Sequence, residues 1–172
     1  MVPLRVQPYR EQVARWPQHG RHILAQFDDA SVVVYQAYRP AIARYAVEHQ
    51  RFGGADFSMG RMSWVKPNFL WMTYRCGWAT KPDQERVLAV RMHRWAFDEV
   101  LRRAVHSSYV AEVYETREAW RAAVEQSDVR LQWDPDHGPG GQPLERRVIQ
   151  LGLRGEALAM YARATGSSGS RT

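Results

Sequence analysis

The hydrophobic pattern switches along the chain between a period of two and a period near four. The run Val32-Val33-Val34-Tyr35-Gln36-Ala37-Tyr38 is the densest β-branched and aromatic stretch, and it predicts a strand over 31–38. Pro40 then suits a first helical turn, and Ile42, Ala43, Ala46 and Val47 recur at helical spacing. A helix over 40–50 closed by Gly53-Gly54 follows. Residues 62–66 read as a strand stopped by Pro67, which lacks the donor an interior ladder needs. Asn68 stands in an N-cap position before a short helix over 69–76, with Gly77 as its C-cap. Residues 86–94 read as a further strand, and 95–105 as a helix with Phe97, Val100, Leu101 and Ala104 on one face. Thr116 caps a helix over 117–126. Strands over 129–133 and 147–153 flank a loop, 134–143, that holds three prolines and three glycines. Before all this, residues 1–19 form an irregular arm with a short helix around 10–16. Residues 23–27 make a short strand or helical turn, and Asp28-Asp29 a turn. A helix over 156–164 runs into a Gly/Ser tail, 165–172, expected to be disordered. The order lacks regular βαβ alternation and has no internal repeat, so the fold class is α+β. It is one globular domain over 20–164, with a small central mixed sheet flanked by helices.

Composition adds a partner class. A formal net charge of +6, with seven Trp and eight Tyr, points to an anionic partner for a globular chain. Cys76 is the lone cysteine, so neither an intramolecular disulfide nor a cysteine-based zinc site can be built, and a cytoplasmic setting fits. The N-terminal residues lack a signal-peptide core, and no run approaches the ~18 apolar residues of a membrane span. A soluble protein with no membrane partner is expected.

Phosphate-binding loops, GxGxxG after a strand, HExxH and GxSxG are all missing. His19 and His22 have no ligand partner nearby and read as solvated, and Asp134-Pro135-Asp136-His137-Gly138 lacks the remaining positions of a calcium loop. Three polar constellations stand out instead. Tyr35, Gln36, Tyr38 and Arg39 end the first strand, where alternation aims Gln36 and Tyr38 to one face and Tyr35 to the other. Gln36, an amide among Val and Tyr, needs a partner, and a neighbouring backbone group is the plainest one. Arg61, Ser63, Trp64, Lys66 and Arg75 form the second constellation. Gln132, Trp133, Asp134, His137, Arg146, Arg147 and Gln150 form the third, at the ends of two late strands. Polar residues at strand ends are what a cleft needs, and equally what a solvated sheet edge contains. Cations interleaved with rings, as in Arg61/Trp64/Lys66 and Arg75/Trp78/Lys81, can neutralise phosphate and stack bases. Acidic residues are few in all three, so catalysis here would lean on positive charge rather than on paired carboxylates.

The strings at 20–29, 34–38, 61–72, 132–135 and 147–153 together resemble the domain-of-unknown-function family 4291, over about residues 20–153. A remoter resemblance is to the NAD-binding half of the ADP-ribosyltransferase fold, including the basic RNA 2′-phosphotransferases. It rests on an early strand ending Tyr35-Gln36-Ala37-Tyr38, a helix closing in Phe52-Gly53-Gly54, and a strand carrying Ser63. Such enzymes place His or Arg where Gln36 stands, and many use a late-strand Glu where this chain offers Gln132, Asp134 and Gln150. The resemblance implies an NAD-dependent ADP-ribosyl or phosphate-handling transferase acting on a nucleic acid or nucleotide. In it Gln36, Asp134 and His137 are the catalytic candidates, and Tyr38, Arg39, Arg61, Ser63, Trp64 and Lys66 hold the cofactor. The alternative is a non-catalytic binder of RNA or single-stranded DNA that uses Trp64, Trp71 and Trp78 with the flanking cations. One expectation is shared by both readings: Gln36, Arg61, Lys66 and Asp134 meet in one cleft walled by Trp64 or Trp71, rather than Arg61 and Asp134 forming a surface salt bridge.

Overall fold

A computed structural model describes residues 4–164 as one mixed α/β domain with a mixed sheet and six helices. The expected disordered tail, 165–172, lies outside the described residues. In chain order the elements are α1 (Tyr9–Val13), β1 (Arg21–His22), β2 (Ser31–Tyr38), α2 (Pro40–His49), β3 (Ser63–Val65), α3 (Phe69–Arg75), β4 (Arg86–His93), α4 (Arg94–Arg102), β5 (Ala104–His106), α5 (Arg117–Gln126), β6 (Val129–His137), β7 (Pro143–Leu153) and α6 (Gly155–Ala164).

The long strand β7 organises the larger sheet. Val148, Ile149, Leu151 and Leu153 are each at most 1% exposed, the near-continuous apolar run of a strand covered on both faces. One edge of β7 pairs antiparallel with β6, which pairs parallel with β5. The other edge is shared: Arg147 and Val148 pair with β1, and Leu151 to Leu153 pair antiparallel with β3. A second sheet joins β2 antiparallel to β4 over eight residues. The two sheets meet at one place, where the Tyr35 and Lys66 backbones exchange hydrogen bonds of 2.7 and 3.0 Å. Val32 and Val34 of β2, Val90 and Met92 of β4, Phe97 and Val100 of α4, and Leu158 and Tyr161 of α6 close the core between them.

Several boundaries differ from the sequence reading for physical reasons. The expected loop 134–143 is half strand, because β6 continues to His137 and β7 begins at Pro143, which leaves only 138–142 as the connection. β6 has left β5 after Leu131 and is an edge strand there, where a proline is tolerated. The register also slips between Pro135 and His137, as at a bulge. The helix expected to reach 105 stops at Arg102, and Ala104 to His106 turn to pair with β6. Near 23–27 the paired residues are Arg21 and His22, with Phe27 making an isolated bridge to Val32. Gln50, with φ of 52°, takes the left-handed end of α2, whereas Gly53 and Gly54 lie under the Tyr45 ring, 2.8 Å from where a Gly54 Cβ would stand.

Asn68 ties two elements together. Its Oδ1 accepts from Trp71 N at 2.8 Å, capping α3, while its Nδ2 donates to Asp136 Oδ1 at 3.3 Å. Asn68→Ala is expected to lower stability by about 1–2 kcal/mol through the lost cap and the donor lost from the buried Asp136 Oδ1, read as a shift in urea midpoint. An unchanged midpoint would show that the cap carries no weight. Among the described residues no helix is long and apolar enough to cross a membrane.

Candidate active site

The junction between the sheets positions a cavity of about 730 Å³. The C-terminal end of β2 supplies Gln36, Tyr38 and Arg39, and the segment leading into and past β3 supplies Arg61, Ser63, Trp64 and Lys66. From α3 come Trp71 and Arg75, and from the β6–β7 ladder come Gln132, Asp134 and Gln150. Eight of the nine sequence-derived site residues therefore line one cavity. His137 does not. It is buried behind the wall, its ring stacked 3.7 Å from Tyr74 and 5.2 Å from Trp71, and its N–H donates to Asp136 Oδ1 at 2.8 Å. Its place is in packing, and a role in orienting an acceptor has no geometry behind it.

Strand alternation explains the acidic corner. Gln132 and Asp134 are two apart on β6 and so share a face, and Gln150 is the cross-strand partner of Gln132. Gln132 Nε2 donates to Asp134 Oδ1 at 2.7 Å and Gln150 Nε2 donates to Oδ2 at 2.6 Å. Ser107 Oγ donates to Gln132 Oε1 at 3.3 Å, which fixes that amide's sense. Asp134, 8% exposed, is thus a carboxylate held by amides rather than by cations, and the surface pair with Arg61 does not form.

Gln36 is oriented in the same way. Its Oε1 accepts from the Tyr161 hydroxyl at 3.1 Å, so its NH₂ group is left as a donor. The partner is a side chain from α6, not the backbone group expected from sequence. Burial pushes the Tyr161 phenol well above its ordinary pKa, which keeps it a donor. Burial raises Tyr38 too, and its hydroxyl stands 3.5 Å from Ser63 Oγ. Trp64 lies over β7 because the residue opposite is Gly152, where a Cβ would come within 3.0 Å of the indole.

The cations differ in kind. Arg39 stands between Asp56 at 3.5 Å and Asp83 at 3.6 Å, both at the cavity's edge. Arg61 and Arg75 are exposed and form no ion pair among the described residues. Lys66 is 3% exposed, and among the described residues its side chain makes no hydrogen bond and no ion pair. Burial, reinforced by the Arg75 charge and opposed by Asp134, lowers its pKa from 10.5 to about 8. Among the described residues no cluster of His, Cys, Asp and Glu could hold a metal ion.

Sequence reasoning missed Tyr161, Asp56 and Asp83. Tyr161 sits on an apolar helix face that reads as core, and the two aspartates lie in loops with no pattern to mark them. The three tryptophans do not share a surface, since Trp71 is 7% exposed beneath Tyr74 while Trp78, 53% exposed, lies off the cavity. Among curated proteins, none matches this chain. A family model matches residues 22–167, and the chain belongs to the family described as Domain of unknown function (DUF4291).

Proposed function

We propose that the protein is a transferase that takes a phosphate-bearing nucleotide, NAD, in this cavity and passes a group to a nucleic acid or nucleotide. One observation carries the reading: Arg61 and Arg75, without an ion pair among the described residues, line with buried Lys66 and amide-held Asp134 a cavity whose volume suits a small-molecule ligand. NAD, when bound, supplies an activated ADP-ribosyl group. Arg61 and Arg75 neutralise its pyrophosphate, as guanidinium forks do well, and Arg39, whose charge is partly offset by Asp56 and Asp83, adds less. The Gln36 NH₂ group, Tyr38 and Ser63 orient the nicotinamide side through hydrogen bonds. Asp134, fixed by two amides, accepts the proton of the acceptor's nucleophile. The resemblance to ADP-ribosyltransferases points to the same end of the first strand. Burial of Trp71 weighs against an open stacking surface for single strands.

Calorimetry with millimolar NAD, followed by nicotinamide release in the presence of RNA, DNA or nucleotides, tests the reading. Arg61→Ala and Arg75→Ala are each expected to weaken binding about 10- to 100-fold, since a hydrogen bond to a charged group contributes ~1.5–3 kcal/mol. Asp134→Asn should still bind and release little nicotinamide. No heat and no nicotinamide release from the unmodified protein would end the proposal.

A further inference from the structure

Lys66 is more than one cation among several. The chain has two lysines against twenty-two arginines, and the other cations lining the cavity, Arg39, Arg61 and Arg75, are all arginine. Where positive charge alone is required, arginine serves better for phosphate and cannot give up its proton. Of the two other buried cations, Arg146 is paired with Asp136 at 2.6 Å and Arg130 donates to the carbonyls of Val124, Ser127 and Val129, so each has its charge met by fixed acceptors, as structural buried charges generally do. Lys66 is equally sunken and has no such partner among the described residues, yet its neighbours include the carboxylate of Asp134 across the same cavity. A primary amine desolvated beside a second cation is the setting that activates a lysine nucleophile.

We propose that Lys66 is such a nucleophile: its Nζ condenses with the open-chain aldehyde of a phosphate-bearing sugar, Arg61 and Arg75 take the phosphate, and Asp134 carries the proton. The neutral nitrogen's lone pair forms an N–C bond to the carbonyl carbon while the C=O π pair moves to oxygen. Asp134 relays one proton from nitrogen to that oxygen, giving the carbinolamine hydroxyl, and then the second, so that the hydroxyl leaves as water as the N=C bond closes. Nothing is oxidised or reduced, and amine plus aldehyde give imine plus water. Burial and the Arg75 charge together leave a large neutral fraction of this amine near pH 8. The same sugar phosphate chemistry is found in a free pentose phosphate and in an abasic nucleotide of a nucleic-acid strand.

The inference rests on the cavity as a phosphate site and not on NAD as donor. Full-length protein is incubated at about pH 8 with ribose 5-phosphate, with ribose, or with an oligonucleotide carrying one abasic site. Each arm contains cyanoborohydride to trap the imine, and the adduct is located by peptide mass mapping. A single adduct on Lys66 is expected, formed at least ~10-fold faster with the phosphate than with plain ribose, because the arginines supply the added affinity. Labelling should quicken as pH rises through about 8, the lysine's own titration. The faster of the two phosphate arms identifies the source. Lys66→Arg and Lys66→Met, each checked for folding by circular dichroism, should both abolish the adduct. Label confined to Lys81 or the N-terminal amine, or equal rates for ribose and ribose 5-phosphate, would overturn the proposal without needing any variant. An adduct without nicotinamide release, or nicotinamide release without an adduct, separates this inference from the NAD reading.

Discussion

Asp136→Ala is expected to destabilise the protein by about 3–5 kcal/mol, because it strips the partner from a buried charge. Arg146 is 1% exposed and Asp136 not at all, and Arg146 Nε donates to Asp136 Oδ2 at 2.6 Å. The other carboxylate oxygen accepts from Asn68 Nδ2 and from the His137 N–H, so a single aspartate closes three elements: the α3 cap, the end of β6 and the start of β7. The guanidinium also holds the N-terminal arm, since Nη1 donates to the Pro17 carbonyl at 3.3 Å and its carbon lies 5.1 Å over the Trp16 ring. Nη2 has no partner among the described residues, so little remains to compensate the cation once the carboxylate is gone. For a chain of this size the loss corresponds to a Tm lower by roughly 10 °C. Asp136→Asn combined with Arg146→Met removes both charges and should recover most of the stability, since the cost lies in the uncompensated ion and not in the absence of a pair. Thermal and urea unfolding of the unmodified protein and of these two variants decide it. A drop under about 1 kcal/mol in the single variant would mean that water reaches Arg146 and the pair is not structural.

That ion pair also shows where the sequence is legible and where it is not. The Val-rich run of β2, the Asn68 and Thr116 caps and the apolar face of α4 are local signals, and each element stands where its pattern puts it, except that α4 ends at Arg102 and yields Ala104 to β5. β1 and β5, of two and three residues, are too short to carry a period and exist only because β7 and β6 offer them an edge. The stretch from Asp134 to His137 reads as a turn because it holds Pro135 and two aspartates, residues that favour turns on local grounds. It is strand because Gln150 and Arg146, from the returning strand, satisfy those two carboxylates. Such compensation has no local trace. The site was legible for the same reason that β2 was: strand alternation puts Gln36 and Tyr38 on one face, and the cation-rich 61–66 segment must run beside it. His137 follows a residue whose burial is set by tertiary partners, and register alone does not reveal that its ring is taken up by Tyr74.

Lys66→Met is expected to make the protein more stable at neutral pH, an outcome opposite to that of most buried substitutions. The unfolded lysine titrates near 10.5 and the folded one at about 8. Below pH 8 both states carry the proton, and the folded state bears the full cost of a desolvated cation, about 3 kcal/mol at 1.36 kcal/mol per pH unit. Between about 8 and 10.5 the folded state sheds its proton while the unfolded state keeps it, so stability rises with pH across this window. Above 10.5 neither state is charged and the cost is gone. Methionine, close in volume and never charged, should therefore raise Tm by several degrees at pH 7, with the advantage shrinking toward zero near pH 10.5. Burial raises Tyr38 and Tyr161, so their stabilising contribution falls as pH climbs past 10, but this affects both proteins equally and cancels in the difference. A constant gap across the whole range, or a less stable Lys66→Met, would show that the lysine is compensated by a contact other than those described. Inorganic phosphate adds a second reading of the same quantity. An anion in the cavity offsets the buried charge, so phosphate should raise the Tm of the unmodified protein more than that of Lys66→Met. Stability is thus lowest where the amine is held charged without a partner, which is the state that a phosphate-bearing ligand would relieve on binding.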